Sequence, residues 1–425
     1  MELLQTTALL VKYHHPMLQD ARKDIIKFGW NYIKLDDVIN KYAAYALIAY
    51  FIASYETPAK IASQVYQALL RAHQGEGRAL VMQSLEILEP TLKKRIGGPD
   101  PRMPLWARIP RRILSEETSN LQQLTSIYHF LVRHPDPFYE AREQFVQIIV
   151  PSLNKVATLP NPSVENKKLA LHLFTLIWQW EERTVRENGS LSAPSASTPN
   201  GTAPGTPVKA NKRLAVASPS ARLALIKYMV QFIATLSDRF PVPSAGSKDA
   251  TSTQTNNPSQ SFEIIQKSLT LMYKFLSAPY WDDLDVDNMF PKITEQVLMS
   301  DPKTDDKPEI WITRTVNTLQ IVRVLLNAKP NEWVLARLPQ LTKLLAKPLR
   351  NENPEIQDCL HSSEGGGNDF PKMQSLVARA LLAVPDASVD EEMPDADSPT
   401  EEFINSLSSL ATDAMAANNL ISGIN

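Results

Sequence analysis

Residues 16–58 read PMLQDARKDIIKFGWNYIKLDDVINKYAAYALIAYFIASYETP, and this stretch decides the fold. Leu18, Ala21, Ile25, Ile26, Phe28, Trp30 and Ile33 recur mostly three or four positions apart, with Asp20, Arg22, Lys23 and Lys27 between them. A helix gathers such positions on one face, so the spacing predicts an amphipathic helix from Pro16 to Lys34. Asp36 or Asp37 offers a carboxylate to cap a second helix reaching about Tyr55. Within it, Tyr42 to Ala53 runs twelve residues without a charge. That is well short of the roughly 20 needed to cross a bilayer, and it predicts a helix buried on nearly every side. Thr57 and Pro58 supply an N-cap and a first-turn proline for a third helix.

Outward from this stretch the same text continues. Helices are predicted near Gly77 to Lys94, Ser119 to Arg133, Pro137 to Ala157 and Asn161 to Glu187. In the last, Val164, Leu169, Leu171, Leu173, Phe174, Leu176, Ile177 and Trp180 build a wide apolar stripe, opened by Asn161 and Pro162 in a cap-then-proline arrangement that returns at Asn353 and Pro354. Further helices are predicted at Ala221 to Phe240, Phe262 to Ser277, Asp287 to Met299, Glu309 to Ala328, Glu332 to Leu349 and Asn353 to Cys359. Helices arriving in pairs about every 40 residues fit HEAT or armadillo units. The expected fold class is therefore all-α, an α-solenoid of helical pairs. No strict consensus repeats, so periodicity alone leaves a globular helical bundle open.

Two segments interrupt the helices, Asn188 to Ser220 and Pro241 to Gln260. Both are rich in Ser, Thr, Pro, Gly and Asn and almost empty of large apolar side chains, which predicts disordered loop insertions. A shorter one, Ser362 to Asp369, holds Gly365, Gly366 and Gly367. The expected order is helical repeats over 1–187, a loop over 188–220, a helix over 221–240, a loop over 241–260, repeats over 261–384, an acidic linker over 385–401 and a terminal helix within 402–425.

Composition excludes several function classes. Thirteen glycines against 32 prolines favour helices started by proline over glycine-rich nucleotide loops. Forty-four basic and 46 acidic side chains leave a net charge of -2, so no overall field holds a polyanion and nucleic acid is not the expected partner. Cys359 is the only cysteine, which removes intramolecular disulfides and multi-cysteine metal sites and predicts a reducing compartment, nucleus or cytosol. The opening MELLQTTALLVKYHH lacks the basic start and small-residue cleavage site of a secretion signal and reads as though cut into a helix.

No Walker-type, dinucleotide G-x-G-x-x-G, H-E-x-x-H or G-x-S-x-G motif occurs, so catalytic, cofactor-binding and metal sites are all expected to be none. Adjacent His14 and His15 point about 100° apart on a helix and do not converge on one ion. His129 and His134 flank a helix end at Arg133, where a capping role is expected. His172, within an apolar helix, reads as a core or rim residue. The clusters Lys93, Lys94, Arg95 and Arg108, Arg111, Arg112 suit helix ends better than phosphates. Phe28, Trp30, Tyr32, Tyr42, Tyr45, Tyr50, Phe51 and Tyr55 have the spacing of inter-helix packing rather than of a base-stacking platform. In the first loop, Lys209, Lys212 and Arg213 lie near Thr198-Pro199, Thr206-Pro207 and Ser218-Pro219, the pattern of an import patch tuned by phosphorylation.

The run from Lys12 to Pro90, which contains the opening stretch, resembles part of the HEAT region of the TRRAP family, giant pseudokinases of the phosphatidylinositol-kinase-related superfamily. The resemblance continues through WARIPRRILSEETSNLQQLTSIYHFLVRHPDPFYEAREQFVQIIVPSLNKV (106–156) and LPNPSVENKKLALHLFTLIWQWEERT (159–184), and resumes more loosely from Ile310 to His361. The low-complexity loops look like those of a filamentous-fungal member. The resemblance implies a nuclear subunit shared by SAGA-type and nucleosomal histone acetyltransferase complexes, whose solenoid docks sibling subunits and receives transcriptional activators. The family's FAT and kinase-like regions have no counterpart here, so an internal, non-catalytic fragment is expected. A HEAT-repeat transport receptor or regulatory scaffold is the alternative.

Overall fold

A computed structural model describes residues 1–72, 77–98, 100, 103–157, 162–192, 216–236, 260–287 and 308–361. The expected loop at 241–259, nearly all of the helix at 287–299, residues 362–384, the acidic segment 385–401 and the terminal helix 402–425 lie outside these residues. Every regular element among the described residues is helical. The chain divides into two compact units, Met1–Pro160 with Leu214–Val216 and Asn161–Arg213 with Ala217–Asn425.

The first unit contains α1 (Glu2–His14), α2 (Arg22–Ile33), α3 (Val38–Ser54), α4 (Ala59–Arg71), α5 (Arg78–Arg95), α6 (Leu105–Glu116), α7 (Leu121–Arg133), α8 (Pro135–Phe138) and α9 (Arg142–Ala157). Helix α3 packs on both α1 and α5, while α2 covers another of its sides. Such alternate stacking leaves α3 little free surface, and Tyr42 to Ala49, Phe51 and Ile52 are all buried. Asp37 caps it as expected, its carboxylate accepting the Asn40 N–H at 3.0 Å. Leu4, Ala8 and Val11 of α1, Ile25 of α2, and Ala43, Ala44, Leu47, Phe51 and Tyr55 form one core cluster. Burying each large member stabilises by about 1.5–3 kcal/mol. Gly29 lets α2 lie close to α3, because a Cβ there would meet Ile48 Cγ1 at 3.0 Å. Beyond α5, the stacking passes through α4, α6 and α7 to α9.

The second unit contains α10 (Val164–Ser192), α11 (Pro219–Thr235), α12 (Gln260–Leu276), α13 (Pro308–Ala328), α14 (Asn331–Leu335), α15 (Leu338–Leu349) and α16 (Pro354–His361). Here α10 packs on α12, α12 on α13, and α13 on α11 and α16. Polar side chains join these layers. Trp281 Nε1 donates to Glu181 at 2.9 Å, and Asn317 Nδ2 donates to the carbonyls of Ile233 and Leu236 at 3.1 and 2.8 Å. Lys329 Nζ donates to the carbonyls of Asp282 and Leu284 at 2.9 and 2.8 Å. Asn353 accepts from the N–H groups of Glu355 and Ile356, so the cap-then-proline reading holds there.

Several boundaries differ from the sequence reading. Residues His15–Leu18 form a 3₁₀ turn after α1 instead of the start of α2, because Pro16 begins a new turn. Thr57 caps nothing; its hydroxyl donates to Tyr55 O at 3.1 Å, and Pro58 itself precedes α4. The expected helix from Pro137 is broken by a 3₁₀ turn at Tyr139–Ala141. The one from Glu332 is broken before α15, since Pro339 cannot donate to the Leu335 carbonyl. Helix α6 was not expected from the sequence; it carries Pro110 inside it, and Trp106, Ile109, Ile113 and Leu114 are buried at helical spacing. Helix α10 opens at Ser163, whose Oγ accepts the Asn166 N–H at 3.2 Å, leaves Val164 exposed, and runs into the expected loop as far as Ser192.

Candidate protein-binding surface

Among the described residues, the histidines do not assemble. His15 gives its carbonyl to Tyr55 Oη at 2.9 Å and sets its ring edge-on to that tyrosine. His134 is the C-cap residue of α7 through its backbone N–H, which reaches the Phe130 and Leu131 carbonyls. Its ring lies 4.9 Å from that of Phe130, and its Nδ1 lies 3.9 Å from Glu89. Burial holds its pKa below the ordinary imidazole value, with Glu89 opposing. His172 sits on the exposed side of α10, so it is a rim residue rather than a core one, and partial burial with Lys267 and Lys168 nearby lowers its pKa. Among the described residues, no group of three or more His, Cys, Asp or Glu is placed to hold a metal ion. Cys359 is buried, its Sγ 3.9 Å from Val316 O.

The basic clusters are dispersed into local contacts. Lys93 lies over the Trp106 ring at 5.9 Å, and Arg95 donates to Tyr55 O at 2.9 Å. Arg108 donates to Met103 O at 3.2 Å; Arg112 reaches Gln67 at 3.3 Å and Glu116 at 3.6 Å. Ser218 is the N-cap of α11, accepting the Ala221 N–H at 3.3 Å. Thr198, Thr206, Lys209, Lys212 and Arg213 lie outside the described residues. The aromatic residues of the first helices pack as expected, with Tyr42, Tyr45, Phe51 and Tyr55 buried and Phe28 and Tyr32 edge to face at 5.1 Å. No helix among the described residues is long and apolar enough to cross a membrane.

What remains at the surface suits contact with another protein. On α1 and the turn after it, Leu3, Leu9, Leu10, Tyr13 and Met17 are exposed. In the same unit, a groove of about 600 Å³ is lined by Arg22, Lys23 and Ile26 of α2, Phe51 of α3, Glu56, Thr57 and Pro58 of the following turn, and Ile61 of α4. Its floor is apolar and its rim charged. Sequence reasoning placed Arg22, Lys23 and Ile26 in an amphipathic helix, Phe51 in a buried one and Thr57 and Pro58 at the start of the next, without bringing them together. One signal was present: Arg22 and Lys23 occupy the first helical turn, where the macrodipole favours acids.

Amphipathic helices stacked on alternate neighbours, with polar side chains spent on caps and inter-helix bonds, define an all-α protein of the HEAT-repeat class. The chain belongs to the family described as the Tra1 HEAT repeat ring region, whose model matches residues 1–424. It is 27% identical over 425 residues to "SAGA complex/NuA4 acetyltransferase complex subunit TRA1" of Saccharomyces cerevisiae, across 97% of this chain and 10% of that protein. It is 30% identical over 353 residues to the Schizosaccharomyces pombe protein of corresponding name, across 82% of this chain and 8% of that protein. A 181-residue stretch is 45% identical to "Probable transcription-associated protein 1" of Dictyostelium discoideum, 43% of this chain and 4% of that protein. The chain thus spans a tenth or less of the length of these relatives.

Proposed function

We propose that this chain is a non-catalytic scaffold segment of a nuclear transcription coactivator subunit, shared by SAGA-type and NuA4-type histone acetyltransferase complexes. In that role it binds sibling subunits and transcriptional activators and so brings acetylation to promoters. The observation that carries the reading is the family match over residues 1–424, together with relatives named as subunits of those complexes. The helices suit the task physically, because those outside the enclosed α3 and α13 bury a stripe on their neighbours and leave another side available to partners. Affinity purification of the tagged protein from nuclear extract tests it. Co-purification of acetyltransferase-complex subunits is expected. Import cargo or phosphatase subunits in their place would favour the transport-receptor or regulatory reading, and ATP turnover by the chain would refute a purely structural role.

A further inference from the structure

We infer that the groove between α2, α3 and α4 is a docking site for a peptide segment of a partner protein. That segment carries a bulky apolar side chain flanked by an acidic residue on one side and a basic residue on the other. Three observations lead there. The lining includes Ile26, Phe51, Pro58 and Ile61, four apolar side chains from α2, α3, the turn after it and α4, and the groove of about 600 Å³ is open to solvent. That shape admits a chain laid across it rather than enclosing a small molecule.

The charges on the rim form no ion pair with one another and are segregated. Arg22 and Lys23 stand on the α2 wall and Glu56 on the α3–α4 turn, and all three are exposed. Among the described residues, none of them lies within 4.0 Å of an opposite charge, whereas Arg71 and Arg112 of the same unit pair with Glu116 at 3.1 and 3.6 Å.

The basic wall also coincides with the first turn of α2, where Ala21 offers no side-chain cap and the backbone dipole adds positive potential, and where two bases outnumber the one acid, Asp24. Pro58 likewise leaves α4 without a side-chain cap. A carboxylate is therefore favoured at the α2 end, an apolar side chain over Phe51 and Ile61, and a base beside Glu56. The acidic wall opposes a continuous polyanion, which separates this groove from a nucleic-acid track. This inference rests on the scaffold reading but specifies the chemistry of one contact.

The test is fluorescence anisotropy on the full chain with a labelled peptide whose Leu-Phe-Leu core has Asp-Asp before it and Lys-Lys after it. Binding in the range of about 10–100 µM is expected. Arg22→Glu with Lys23→Glu, or Glu56→Lys, should weaken it at least about fivefold while leaving the melting temperature unchanged. A peptide with serine in place of all four charged flanking residues should bind correspondingly less well. On the native chain, a photo-reactive Phe in the core should label Ile26, Phe51 or Ile61. No binding, equal binding of the serine-flanked peptide, or labelling elsewhere would overturn the inference. Those results would leave co-purification with acetyltransferase subunits, the test of the scaffold reading, unaffected.

Discussion

Replacing Asn317 by alanine tests how the layers of the second unit are joined. The side chain is 1% exposed and donates to the carbonyls of Ile233 and Leu236 at the C-terminal end of α11, where the Ile233 carbonyl also accepts the Leu236 N–H. Two neutral hydrogen bonds contribute a net of about 1 kcal/mol each; the Ile233 carbonyl keeps the Leu236 N–H at 3.3 Å, so the Leu236 carbonyl bears the further cost of about 1–3 kcal/mol for a buried acceptor that loses its donor. Against this, Asn317 Oδ1 is itself buried without a partner, so its removal recovers part of the loss. The expected cost is about 3 kcal/mol, a factor of roughly 150 in the local opening equilibrium. Native-state hydrogen exchange is the suitable assay, because a chain of two units need not unfold in one step. Amides of the last turn of α11 should exchange about 100-fold faster in Asn317→Ala, while those of α3 stay as they are. Asn317→Asp, which cannot donate when ionised, should be worse at neutral pH and recover partly in acid. Unchanged protection of α11 in both variants would refute the reasoning.

Four further outcomes are expected. Gly77→Ala should destabilise the first unit by about 2–4 kcal/mol in urea unfolding, since the new Cβ would fall 1.6 Å from the Tyr42 ring, and Tyr42→Leu should relieve much of that cost in the double variant. Trp281→Phe keeps an aromatic ring but removes the donor to buried Glu181, and should cost about 2 kcal/mol by the same assay. Because burial holds the folded pKa of His134 below 6.5, the unfolded chain takes up this proton first as pH falls. Its contribution to stability is therefore complete above pH 6.5 and is lost as pH drops through the folded pKa. NMR titration should place that pKa below 6.5, and lower still in Glu89→Gln. Cys359, buried beside Val316 O, should resist a thiol reagent in the native chain and react on unfolding.

The fold was legible where periodicity and caps agreed. Asp37 and Asn353 announce α3 and α16 through short polar side chains that can accept from the first turn, and the uncharged run at Tyr42 predicted a helix covered on nearly all sides. It was illegible where proline plays two parts. Helix α6, with Pro110 inside it, was not expected, whereas Pro339 breaks a helix expected to be continuous from Glu332 to Leu349. The partner surface was less legible still. A groove forms from residues up to 39 positions apart, Arg22 to Ile61, and nothing local says that Ile26 and Ile61 will share a floor. Only the two bases in the first turn of α2 hinted at it. The family resemblance, resting on whole runs of sequence, supplied what spacing could not, and the match over residues 1–424 bears it out.

Cross-linking mass spectrometry on the complex purified through this polypeptide bears most directly on its role as an adhesive scaffold. Lysines exposed on the described helices, such as Lys12, Lys23, Lys60 and Lys94, should link to other polypeptides, acetyltransferase-complex subunits among them. Links confined to the polypeptide itself, from a preparation in which those subunits are present, would contradict the account.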